Sequence, residues 1–326
     1  MMSAVAINIA NGVYQGCVYG AAAKLPMEYT NAVTIGMNLS GTIASLFMIL
    51  SIAVSPSAKV VAIIFFSCAV VILTLCLITE FFLKNNVRTS VFLLKNQFST
   101  FFLSISKNFY VYHTEREVES EIFYDNIKTI SQANGPRSPG PEPELRGLVL
   151  YKHVFKKTWV QLLNIVIIYF VSLSIFPALM ANIKPMNGII SENYFAPVFC
   201  FLSFNLCATL GNFIAQRVQR PGPQYVIFFS ALRLLFIPFF IYCNYRPEKI
   251  QRNIPVLFTD DWIYIIGGVA MALSSGYLSS LCMMYTPRCV QQKYSSTAGM
   301  MAALTIILGI LLGINFSLVY PLIAKI

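Results

Sequence analysis

Eight apolar stretches run through the chain, near 4–24, 29–53, 59–83, 158–182, 193–216, 224–245, 262–285 and 297–323, and charged or turn-forming residues lie between them. Each is close to the length that carries a helix across a bilayer, about 20 residues. The stretches are continuous rather than alternating, so the short alternating segments of a β-barrel are excluded. A polar segment over 84–157 parts the first three stretches from the last five. The predicted fold is an all-α polytopic membrane protein with eight transmembrane helices in a 3+5 arrangement. Its parts are three spans in 1–83, a loop over 84–157, and five spans in 158–326.

The polar positions inside these spans are patterned. In FLSFNLCATLGN, residues 201–212, Asn205, Thr209 and Asn212 fall at i, i+4 and i+7 and so share one helical face. Lipid cannot satisfy two amides, so this face is expected to look onto a protein interior or a watery cavity. In the first span Asn8, Asn11 and Gln15 stand at i, i+3 and i+7, with Ala, Val, Ile and Gly around them. An amide without a partner is costly to desolvate, so the amide faces point to a path for a polar solute, a helix-to-helix hydrogen bond being the alternative. Ser275, Gly276 and Ser279 in the seventh span, and Gly309 and Gly313 in the eighth, have the spacing of tight helix packing.

Arg233, in VIFFSALRLLFIPFF, is the one charge deep in a span. A charge there costs about 2.5–3.5 kcal/mol on insertion scales, so it is expected to face protein, either in a functional role or bracing a kink before Pro238. Pro177 is expected to bend the fourth span by freeing a backbone carbonyl.

Composition agrees with a membrane chain: 57% of residues are apolar and 11% charged, with a mean hydropathy of +0.68. The Met1 start has no basic region before its first apolar stretch, so that stretch is expected to insert as a span rather than be cleaved. Sixteen Lys and Arg lie in the loops around 24–28, 84–157, 217–223 and 286–296, against six in the opposite loops. The long loop decides the balance, and its ends carry Lys84, Arg88 and Lys95, then Lys152, Lys156 and Lys157. The positive-inside rule puts it in the cytoplasm and both chain termini outside. The net charge of +10 then reflects topology and anionic-lipid contact rather than nucleic-acid binding.

Within the loop, 90–112 reads as an interfacial helix, a run of glutamates follows at 115–121, and GPRSPGPEPE at 135–144 has the composition of a tether, with Ser138-Pro139 a phosphorylation candidate. The cysteines form no CxxC pair and read as small apolar residues. The sequons at Asn38 and Asn315 fall inside spans and are discounted as glycosylation sites. The two histidines, His113 and His153, are placed in the loop, and no acidic residue sits deep in a span. The chain therefore carries no expected metal site, cofactor or enzyme chemistry.

GVYQGCVYGAAAKLPMEYTNAVTIG at 12–36, FPALM at 176–180, FLSFN at 201–205, RLLFIPFFIYCN at 233–244, SSGYLSSLCMMYTP at 274–287 and TAGMMAALTIILGILLG at 297–313 together resemble the equilibrative nucleoside transporter family, solute carrier family 29. The resemblance runs through nearly all the spans in order. It aligns this chain with the fourth to eleventh of the family's eleven helices, so that the first three are expected to be absent and the bundle to be a partial, major-facilitator-like one. It implies a multi-pass protein of the plasma membrane, or of an intracellular membrane, that carries nucleosides or nucleobases by alternating access.

By the same resemblance Gln15 matches a substrate-contacting glutamine and Asn205 a cavity asparagine, while Phe176, Phe201 and Ile310 fall at apolar pocket positions. Asn11 stands where the family is normally small, which predicts weak binding of bulky nucleoside-analogue inhibitors. Asn8, Thr209, Asn212 and Arg233 complete the intramembrane polar set. The family motif continues FN-x-x-D-x-x-G-R, whereas this chain has Ala208 at the Asp and Asn212 at the Arg. Joint loss of a buried ion pair is compatible with folding, because no charge is stranded. It leaves a second reading: a transport-deficient homologue acting through partners on the 84–157 loop.

Overall fold

The computed structural model describes residues 2–54, 58–86, 147–246 and 252–325. Its helices are α1 (Met2–Ala22), α2 (Met27–Val54), α3 (Ala58–Asn86), α4 (Gly147–Ile175), α5 (Glu192–Arg217), α6 (Val226–Ile241), α7 (Asp261–Tyr285), α8 (Ser295–Ser317) and the short α9 (Tyr320–Ile323). Among the described residues the sole β feature is an isolated bridge between Ile183 and Tyr245. Among the described residues five segments are long and apolar enough to cross a bilayer: Met27–Val54, Leu148–Asn182, Glu192–Arg217, Asp261–Cys289 and Gln292–Ile323. Shorter apolar helices occupy Lys59–Leu75 and Val226–Ile241. This is the architecture of a polytopic α-helical membrane protein.

The chain divides into two compact units, Met1–Ile72 with Lys156–Ile326, and Leu73–Phe155. The second contains the end of α3 and the first turns of α4. The expected interfacial helix at 90–112, the glutamate run, the Pro/Gly stretch and Ser138 lie outside the described residues. Apart from the first turns of α4, everything below concerns the first unit.

Three helices differ from expectation. α4 begins at Gly147, about ten residues before the apolar stretch, so Lys152, His153, Lys156 and Lys157 sit on helix rather than loop. No Pro or Gly interrupts 148–175, and helix satisfies the backbone whether its side chains meet lipid or headgroup. α4 is not bent at Pro177 but stops at Ile175, and the chain continues through a 3₁₀ turn at Met180–Asn182. A residue preceding proline disfavours the α region, and here that is Phe176. α6 tightens to a 3₁₀ turn at Arg233–Leu235 and resumes through Pro238, whose missing N–H removes one rung of the helix. α5 carries a π-helical stretch at Ala196–Leu202, directly before the polar stripe.

Small residues set the closest crossings. A Cβ on Gly276 of α7 would collide with the Ala208 backbone, its carbonyl carbon only 2.7 Å away, and one on Gly211 would meet the Tyr277 amide nitrogen at 2.8 Å. α5 and α7 therefore touch backbone to backbone, as the Ser/Gly face predicted. Gly309 and Gly313 of α8 abut α4 in the same way, at Val166 O (2.9 Å) and Phe170 O (2.7 Å). A Cβ on Gly299 of α8 would lie 3.1 Å from the Tyr19 carbonyl carbon, so this glycine lets α8 close on α1. The apolar core has two clusters, one around Val171, Ile175, Phe195, Phe240 and Met271, the other around Leu162, Ile168, Leu281 and Ile306.

The segments at one end of the bundle are tied by side chains to backbone. Arg252 donates to five carbonyls, those of Ile241, Cys243, Tyr245, Ile254 and Pro255. Partial burial lowers its guanidinium pKa from the ordinary value. The Asp261 carboxylate at the head of α7 accepts the amides of Met186 and Asn187 at 2.9 Å.

Candidate functional site

The stripe on α5 faces α2. Asn212 is fully buried, and its Nδ2 donates to the Thr34 carbonyl at 3.3 Å while its Oδ1 accepts Ser280 Oγ of α7 at 3.0 Å. Asn31 Nδ2 reaches the Asn212 carbonyl at 3.1 Å. Two turns away, Asn205 lies over Gly41 of α2. The pairs 34/212 and 41/205 keep one antiparallel register. Between them Thr209 returns its hydroxyl to the Asn205 carbonyl at 2.8 Å. The stripe therefore looks onto a protein neighbour, the first of the two surroundings its sequence allowed.

α1 meets the same face of α2. Gln15 Nε2 and Tyr19 Oη each lie 3.6 Å from the Met37 sulfur, and Tyr19 Oη shares a 3.1 Å bond with Thr34 Oγ1. Met37 and Gly41 are four residues apart, one turn of one face. Gln15 and Asn205, from helices distant in sequence, are thus brought to adjacent positions on α2. Asn205 also donates Nδ2 back to the Phe201 carbonyl at 2.9 Å. Beside it the Phe176 ring stacks on Phe204 at 4.2 Å, nearly parallel, and meets Phe201 edge-on at 5.6 Å. Gln15, Asn205, Phe176 and Phe201 thus form one neighbourhood.

The other sequence candidates stand apart. Asn8 and Asn11 lie on an exposed stretch of α1, two turns and one turn before Gln15 respectively. Ile310 packs on the second core cluster. Arg233 is 2% exposed and braces three helices. Its NH1 donates to the Met271 carbonyl at 2.9 Å and to Ser274 Oγ, and its NH2 donates to Ser172 Oγ at 2.8 Å, which in turn shares a 2.8 Å bond with Ser275. These partners are neutral, so the charge is dispersed over hydroxyls and a carbonyl.

Reading the sequence alone passed over Gly41, Met37, Thr34, Asn31, Ser280 and Tyr19. A signal for α2 was present: Asn31, Thr34, Asn38, Gly41, Thr42 and Ser45 recur at helical spacing inside an apolar run. Among the described residues no group of His, Cys, Asp or Glu is arranged to hold a metal. The seven described cysteines are unpaired.

Residues 1–322 match the family model described as Nucleoside transporter. This chain belongs to the nucleoside transporter family. It is 29% identical over 339 residues to equilibrative nucleoside transporter 1 of Homo sapiens, covering 98% of this chain and 68% of that protein. Identity to equilibrative nucleoside transporter 1 of Mus musculus is 30% over 327 residues, covering 96% and 66%. To equilibrative nucleoside transporter 2 of Homo sapiens it is 28% over 337 residues, covering 98% and 71%. The chain thus spans about two thirds of the length of these relatives. The family consists of transporters, not enzymes.

Proposed function

We propose that this chain is a facilitative carrier of nucleosides or nucleobases working by alternating access. In this reading the amides of Gln15 and Asn205 bind the base edge or the sugar, Phe176 and Phe201 cover the ring, and Asn11 and Ile310 belong to the outer wall. The observation that carries it is the meeting of Gln15 and Asn205 at Met37 and Gly41, one turn apart on α2. Amides offer both donor and acceptor, the chemistry a base edge presents, and reversible binding needs no covalent step.

The reading adopts the 3+5 arrangement, with spans in 1–83 and 158–326, 84–157 as a cytoplasmic loop available to partners, and the plasma membrane as the location. In that orientation the Asn31–Asn212–Ser280 node and the bond from Gln292 to the Lys24 carbonyl lie at the cytoplasmic end. They act as the closed gate of one state, with Thr209 stiffening the stripe, Asn8 nearer the outer mouth, and Arg233 holding α4, α6 and α7 as one body. Ala208 and Asn212, where the family motif carries charge, make this gate a neutral one.

The test is uptake of radiolabelled uridine and adenosine in nucleoside-transport-null cells expressing the chain at the surface. Saturable uptake is expected, reduced by Gln15→Ala and by Asn205→Ala. Absence of uptake despite surface expression would sink the carrier reading.

A further inference from the structure

The stripe on α5 has one member whose position depends on an absence. A Cβ placed on Gly41 would fall 2.7 Å from Asn205 Cγ and 3.2 Å from Nδ2, and nearer still to Oδ1. All three atoms belong to one carboxamide, so the amide group as a whole occupies the space an alanine methyl would take. At the α5–α7 and α4–α8 crossings the tight glycines meet backbone, as Gly276 does at Ala208 and Gly313 at Phe170, and the side chains that crowd Gly20 and Gly267, Met300 and Phe239, are apolar. At Gly41 the backbone of α5 is not what comes close. The missing side chain makes room for a polar head.

The amide has little freedom to yield. Its Nδ2 is bonded to the Phe201 carbonyl at 2.9 Å, and its own backbone carbonyl accepts Thr209 Oγ1 at 2.8 Å. One turn along, Phe201 is held edge-on by Phe176, which is stacked on Phe204. Two turns further toward the other end, Asn212 ties the same two helices together through Thr34. α2 is therefore pinned near the site, and a methyl at 41 cannot be absorbed by sliding the helices apart without breaking that tie. The inexpensive escape is rotation of Asn205 about χ1 or χ2, which breaks the bond to Phe201 and turns the amide away from α2.

We propose that Gly41 is a positioning residue for substrate selection, acting through Asn205: its bare Cα is the seat that fixes the carboxamide in the orientation presented to the nucleoside. This rests on the carrier reading above, and it adds that recognition at Asn205 is set jointly by α2 and α5. Met37, one turn before Gly41, engages Gln15. The same face of α2 thereby orients both amides, and a change on that face alters selection without touching either one.

Two measurements on the whole 326-residue chain keep the two readings separable. The first is a double-mutant cycle in thermal unfolding of purified protein, which needs no transport. Gly41→Ala is expected to lower Tm beside Asn205 but to have little effect beside Asn205→Ala, and Asn205→Ser, which lacks the colliding branch, is expected to recover most of the loss. Equal losses in every background would overturn the seat. The second is the kinetics of uridine uptake. Gly41→Ala is expected to raise KM about five- to tenfold, the loss of roughly one oriented hydrogen bond, with Vmax within about twofold at equal surface density. It is expected to add nothing further to Asn205→Ala. Coupled Tm values with unchanged KM would make Gly41 a packing residue only and overturn its role in selection. A parent chain without uptake would overturn the carrier reading while the Tm cycle still decides the seat.

Discussion

Replacing Asn212 with alanine tests whether a neutral node can hold α2, α5 and α7 together. The substitution removes two interhelical side-chain bonds, to the Thr34 carbonyl at 3.3 Å and from Ser280 at 3.0 Å, and leaves the bond from Asn31 to the residue 212 carbonyl intact. Interhelical bonds in membranes average about 0.6 kcal/mol, so the two together contribute about 1 kcal/mol. Ser280 is fully buried and is left without its partner. An unsatisfied buried hydroxyl adds about 1–3 kcal/mol, which sets the expected loss at about 2–3 kcal/mol once overlap between the two terms is allowed for. Equilibrium unfolding of the purified chain in mixed micelles reads this directly. In a cycle with Ser280→Ala, the double variant is expected to be less destabilised than the sum of the singles by about 0.5–1.5 kcal/mol. A single-variant loss under about 0.3 kcal/mol, or strict additivity in the cycle, would refute the reasoning.

Other positions give independent checks. Arg233→Lys keeps the charge but brings one nitrogen where two diverging ones reach Met271, Ser274 and Ser172; a stability loss of about 1–2 kcal/mol is expected, and an unchanged Tm would contradict the brace. Asn164 is fully buried and neither polar atom of its amide has a hydrogen-bond partner among the described residues. Asn164→Leu, close in volume, is expected to raise unfolding stability by about 1 kcal/mol, and a loss of that size would reveal a polar role for the amide. Gly276→Ala inserts a methyl into the Ala208 backbone and is expected to cost about 1–3 kcal/mol and lower surface expression; normal expression and Tm would mean that the α5–α7 crossing yields.

Much of the site was legible because membrane helices leave few excuses for polar side chains. Asn205, Thr209 and Asn212 on one face and Gln15 on another were visible as polar side chains without water, and all four do meet protein. The spans were legible for the same reason: an apolar run about 20 residues long has one stable form in lipid. The ends were less so. α4 runs ten residues past its apolar stretch and stops before Pro177, because helix tolerates headgroup-level lysines while the residue before proline resists it.

Local sequence by itself determined that this chain is a set of membrane helices with polar faces, since a 3.6-residue period and the desolvation of an amide are properties of a segment alone. Which faces meet was decided only in three dimensions. Whether the Asn212 amide serves a solute or a neighbouring helix depends on Thr34 and Ser280, which lie 178 and 68 residues away. That Gly41 is a seat rather than a packing notch depends on Asn205 lying opposite it. A hydrogen bond or a collision has a partner, and the identity of that partner is fixed by how the helices cross.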